Sequence, residues 1–86
     1  MNVEEKLVEC LSKGQVNKMP KNFCFTFDYE GHLVLLSRNR IHLVSKHNPT
    51  KTLFVIRRSE SADKIDTMWN LVRDRIDKFD VFSHRF

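Results

Sequence analysis

Apolar and polar positions change their period twice along the chain. Val3, Leu7, Cys10 and Leu11 recur at helical spacing, with Glu4, Glu5 and Glu9 elsewhere on the turn. That pattern predicts a short amphipathic helix from Val3 to Lys13, closed by Gly14. "QVNKMPKN" reads as a polar connection. From Phe23 the period becomes two: Phe23, Phe25, Phe27 and Tyr29 alternate with Cys24, Thr26 and Asp28, as in a half-buried strand. "YEGH" then supplies a hairpin turn at Gly31, and "HLVLLS" a second strand. "RNR" is a tight reversal in which Asn39 can take a positive φ. "IHLVSK" is a third strand, "HNPTK" a loop and "TLFVIRR" a fourth strand. Ser59 or Ser61 N-caps a long helix whose buried stripe is Ile65, Met68, Trp69, Val72, Ile76 and Phe79. The reading is an α+β fold of order α-β-β-β-β-α, a four-stranded antiparallel meander with both helices packed on one face. Residues 1–86 form one domain, in which 79–86 is a tail that folds back or docks on a partner.

Two helices cover one face of such a sheet, yet strands two to four are apolar on both. Leu33 and Leu35 oppose Val34 and Leu36; Ile41 and Leu43 oppose Val44; Leu53 and Val55 oppose Phe54 and Ile56. A wetted face normally carries polar alternation, so the surplus predicts a homo- or heterodimer partner over the second face or an edge. In the tail, Phe82 and Phe86 are the candidate partner-binding residues.

Charge sharpens this picture. The chain of 86 residues has net charge +4, with 15 Lys or Arg against 11 Asp or Glu. No acid lies between Glu30 and Glu60, and that window holds Arg38, Arg40, Lys46, Lys51, Arg57 and Arg58. In a meander, Arg57 and Arg58 finish at the same end as Arg38 and Arg40, and the first strand brings Lys18 and Lys21 near. Lys46 and Lys51 fall at the other end. Arginine forks suit phosphate. Arg38, Arg40, Arg57, Arg58, Lys18, Lys21 and Lys51 are therefore the candidate nucleic-acid contacts.

Catalytic chemistry has little foothold. His32, His42, His47 and His84 lack ligand spacing, so no metal is expected. Gly14 and Gly31, the only glycines, cannot make a phosphate loop. Cys24, between two Phe, reads as an apolar filler. No nucleophile, base and orienting group assemble, so a non-catalytic protein without cofactor is expected. The acidic, amphipathic N-terminus is unlike a signal sequence, and no apolar run approaches a membrane span. The expected setting is cytoplasmic, or nuclear.

The amphipathic first helix, the aromatic strand ending in "FDYEG", and "PTKTLFVIRRSESADKIDTMWNLVRDRI" together resemble the small RNA-binding subunits of the signal recognition particle Alu domain. The resemblance implies helices on one face of a concave sheet, heterodimerisation, and phosphate contacts from Arg38, Arg40, Lys51, Arg57 and Arg58. The element order is also similar to the kinase-associated C-terminal domains, which implies binding to anionic lipid instead. A third alternative is a protein-interaction or inhibitory module, of viral or bacterial type, acting through the apolar sheet face and the C-terminal aromatic tail.

Overall fold

The computed structural model describes residues 2–19 and 24–83, without the side chains of Cys24 and of residues 79–83. Its elements are α1 (Val3–Lys13), β1 (Gln15–Met19), β2 (Cys24–Tyr29), β3 (His32–Leu36), β4 (Arg40–Ser45), β5 (Asn48–Arg57) and α2 (Arg58–Ser83). Asn2 caps α1, its side chain accepting the Glu5 N–H at 2.8 Å, while Glu4 and Glu5 sit at the positive end of the helix dipole. Glu30 and Gly31 both take positive φ, 46° and 78°, which is the two-residue hairpin geometry that matches strand twist.

The antiparallel α+β class is as the pattern predicts, but the sheet has five strands, not four, in the order β1-β2-β3-β4-β5. The additional strand is the polar "QVNKM". Paired with β2 from Gln15↔Asp28 to Met19↔Cys24, it lies at an edge and directs only Val16 and Lys18 to the side of Phe25 and Phe27. An edge strand with so little to bury carries almost no hydrophobic signal. Two smaller corrections follow from backbone geometry. The β3–β4 reversal is closed by Ser37, whose backbone N–H and hydroxyl both donate to the Arg40 carbonyl at 2.9 Å, and Asn39 does not take a positive φ. The stretch read as the "HNPTK" loop largely belongs to β5, where register shifts opposite Val44 absorb extra residues. Pro49 is tolerated there because β5 is the other edge.

Register with β2 sorts the faces of the other strands. Phe25, Phe27, Val34, Leu36, Ile41, Leu43 and Ile56 point to one side and form a single buried cluster with helix residues. Leu7, Cys10 and Leu11 of α1, and Ile65, Met68, Val72 and Ile76 of α2, complete it. Both helices therefore pack on this face. Within α2, Ser61 departs from helical geometry (φ −152°, ψ 64°), so the long continuous helix begins after it.

Two close approaches lock α1 onto the sheet. Arg75 of α2 donates to the carbonyls of Leu11 and Gly14 at the C-terminus of α1 and lies 5.6 Å over the Phe27 ring. It thus satisfies orphan carbonyls with a cation. At Gly14 a Cβ would stand 2.5 Å from the Cys10 carbonyl oxygen and 3.0 Å from that of Asp28. Both obstacles are backbone, so they cannot rotate away. Gly14→Ala is expected to lower stability by about 1–3 kcal/mol, read as a reduced urea midpoint at unchanged m-value.

Candidate nucleic-acid interface

The turn between β3 and β4 and the β5–α2 junction meet at one end of the sheet. Arg40 and Arg57 are directly opposed across β4 and β5. Arg58 N–H donates to the Asn39 carbonyl at 2.8 Å, which makes Arg40–Arg57 a narrow pair of the ladder, with Cα atoms about 4.5 Å apart. Arg58 continues the linkage, its Nε donating to the Arg38 carbonyl at 2.9 Å. Trp69 holds the same turn from below: its indole N–H donates to the Ser37 carbonyl at 3.1 Å, and its ring meets Phe25 edge-on at 6.4 Å. Main-chain and side-chain bonds thus bring Arg38, Arg40, Arg57 and Arg58 to one end of the sheet, with Arg40 and Arg57 in register on the face away from the helices and Arg38 and Arg58 beside α2.

Acids of α2 neutralise part of it. Arg58 pairs with Asp66 at 3.0 Å and Arg57 with Glu60 at 3.5 Å. These pairs are exposed and contribute little stability. Arg38 and Arg40 have no ion pair among the described residues, and neither has Arg73 of α2, which lines a cleft with Arg38 and Arg58. Nothing in the helical pattern distinguishes Arg73 from any other solvated helix residue.

The remaining candidates disperse. Lys18 is in register with Phe25, and through it with Leu36, Ile41 and Ile56. It faces the helical side of the opposite edge, three interstrand steps of about 4.8 Å from β4. The extra strand β1 is what carries it away. Lys51 lies on the exposed far part of β5. Beyond β4 at that same far end, Lys46 pairs with Asp28 at 2.8 Å. Lys21 and Phe86 lie outside the described residues, as does the side chain of Phe82.

The sheet face turned away from the helices leads from the arginine pair to His42, Leu35 and Val55, then to Leu33 and Val44. None of the described Phe, Tyr or Trp rings is on it, since Phe25, Phe27, Tyr29, Phe54 and Trp69 all pack with the core. His42 is paired with Val55 and approaches the Thr52 hydroxyl at 3.4 Å. Burial, then Arg40 and Arg57, hold its pKa below the ordinary 6.5. A depressed histidine contributes stability above its unfolded value, and this is lost as pH falls through the folded one. Between those two values the urea midpoint is therefore expected to fall as pH falls, and His42→Asn should reduce that fall.

Other chemistry is sparse. Among the described residues no cluster of His, Cys, Asp and Glu could hold a metal ion. Cys10 is free and buried, and burial pushes its thiol pKa up, away from nucleophilic thiolate. No helix among the described residues is long and apolar enough to cross a membrane. Comparison with protein-family models, with curated proteins and with solved structures gave no match.

Proposed function

We propose that this protein is a small non-catalytic binding module that grips the sugar–phosphate backbone of RNA with the arginine end of its sheet, as part of a complex. The observation that carries the reading is the opposition of Arg40 and Arg57. Like charges directly across a ladder cost stability, and this pair stands where nothing among the described residues pairs with Arg40. A phosphate backbone supplies the missing counter-charge with the geometry a guanidinium fork prefers. Single-stranded or looped RNA fits better than a DNA groove. The exposed side of α2 mixes Asp63, Asp66, Asp74 and Asp77 with Lys64 and Arg73, a poor helix for a major groove, whereas a narrow arginine row suits a flexible backbone. The one ring that the described residues place on the open face is the His42 imidazole, which favours backbone contacts over an aromatic stacking platform. A cytoplasmic or nuclear setting goes with this reading.

Replacing Arg38, Arg40, Arg57 and Arg58 by Glu tests it. Binding to a short single-stranded RNA should vanish at low salt while the thermal transition persists. Retained binding would refute the assignment.

A second reading has its own observation. Leu33, Leu35 and Val55 are only partly covered, Val44 is buried outside the main cluster, and Leu53 is 40% exposed. An apolar surface of this kind suits a protein partner, homo- or heterodimeric, with Phe82 and Phe86 as further contacts. On that reading, activity follows substitutions on the open face and leaves the arginines aside.

A further inference from the structure

Beside the arginine row, a cleft of about 320 Å³ opens between the β3–β4 turn and α2. Arg38, Arg58 and Arg73 line it, with Trp69 and Ile76 as its apolar contribution. Asp66 and Asp77 also border it. Asp66 is engaged by Arg58, but Asp77 has no ion pair or hydrogen bond among the described residues. The cleft thus offers two uncommitted guanidinium groups, one uncommitted carboxylate and a ring edge.

Resting on the RNA reading above, we infer that this cleft receives one nucleotide of the bound strand, its phosphate between Arg38 and Arg73 and its ribose hydroxyl on Asp77. Three features favour a nucleotide over a bare anion. A carboxylate repels inorganic phosphate but accepts hydrogen bonds from a ribose diol or a base N–H. Its volume is at the lower end for small-ligand sites, the scale of a single nucleotide, not of a duplex. The walls are also preorganised. Trp69 is held by its bond to Ser37, and Arg58 by the Arg38 carbonyl and Asp66, so ordering on binding is confined to Arg38, Arg73 and Asp77. The 2′-hydroxyl contact gives the site a means of telling RNA from DNA.

Trp69 is the only tryptophan, so its fluorescence reports the cleft. The probes are the four ribonucleoside 5′-monophosphates, their 2′-deoxy counterparts, inorganic phosphate and phosphotyrosine. The expected result is a saturable change with at least one ribonucleotide, about fivefold weaker for its deoxy form. Arg73→Gln should weaken it about tenfold without shifting the melting transition, and Asp77→Ala should erase the ribose preference. No saturable change with any nucleotide overturns the inference, as does equal binding of inorganic phosphate or tighter binding of phosphotyrosine. Parallel titrations with an RNA oligonucleotide separate the two readings. If Arg40→Glu removes oligonucleotide binding and Arg73→Gln does not, the cleft assignment falls and the arginine-end reading stands. If neither variant weakens it, both fall.

Discussion

Arg40→Glu is expected to weaken RNA binding by about 10- to 100-fold and, at the same time, to make the fold slightly more stable. The two effects have one cause. In the native sheet Arg40 faces Arg57 across a narrow pair, and like charges so placed oppose folding. A carboxylate at position 40 would face a guanidinium instead, a change of about 0.5 kcal/mol in favour of the folded state. Binding loses a charge-assisted phosphate contact of about 1.5–3 kcal/mol and gains a repulsive charge, which sets the fold-change through the tenfold per 1.4 kcal/mol conversion. A residue kept only for folding would give opposite behaviour: lower stability and unchanged affinity. Chemical denaturation and anisotropy on the same preparation distinguish the cases.

The second large effect falls on the structure, and it separates two arginines only two residues apart. Arg75→Ala is expected to destabilise the protein by roughly 2–4 kcal/mol, with little direct effect on RNA affinity. Its guanidinium satisfies the last carbonyls of α1, at Leu11 and Gly14, and covers the fully buried Phe27. Truncation strips two partly buried acceptors of a charged donor and exposes a ring at the centre of the core. Lysine at this position should recover only part of the loss, because an ammonium cannot present the planar fork that bridges two carbonyls. Arg73→Ala, by contrast, removes no hydrogen bond or ion pair among the described residues and should leave the urea midpoint unchanged.

These contrasts show what the sequence discloses and what it withholds. Period-two alternation from Phe25 to Tyr29 declares the buried face of β2, whereas β3, β4 and β5 are apolar on both faces, so that only register with β2 selects Val34, Leu36, Ile41 and Leu43. The parity of a meander is enough to bring Arg38 and Arg40 alongside Arg57 and Arg58, since every tight turn reverses direction. Gln15–Met19 stays silent because an edge strand is held by main-chain bonds that leave no composition signature. That silence misplaces Lys18, which a four-stranded reading sends toward the arginines and β1 carries to the far edge. Arg73 and Arg75 look alike in sequence. Only the crossing of α2 over the end of α1 makes one a cap for carbonyls and the other a wall of a cleft. The pairing of Arg57 with Glu60 and Arg58 with Asp66 is equally invisible to a window that counts basic residues alone, because the acids lie just outside it.

The central claim is that the arginine end holds a phosphate backbone, and its most direct test is the salt dependence of RNA affinity for the unaltered protein. Contacts from Arg38, Arg40, Arg57 and Arg58 release counterions, and single-stranded nucleic acid loses about 0.7 in log–log slope per contact. The account predicts a slope between about −2 and −3, shallower by about 0.7 for each of the four arginines replaced singly by Gln. A slope near zero for the native protein, or no binding at low ionic strength, would contradict it.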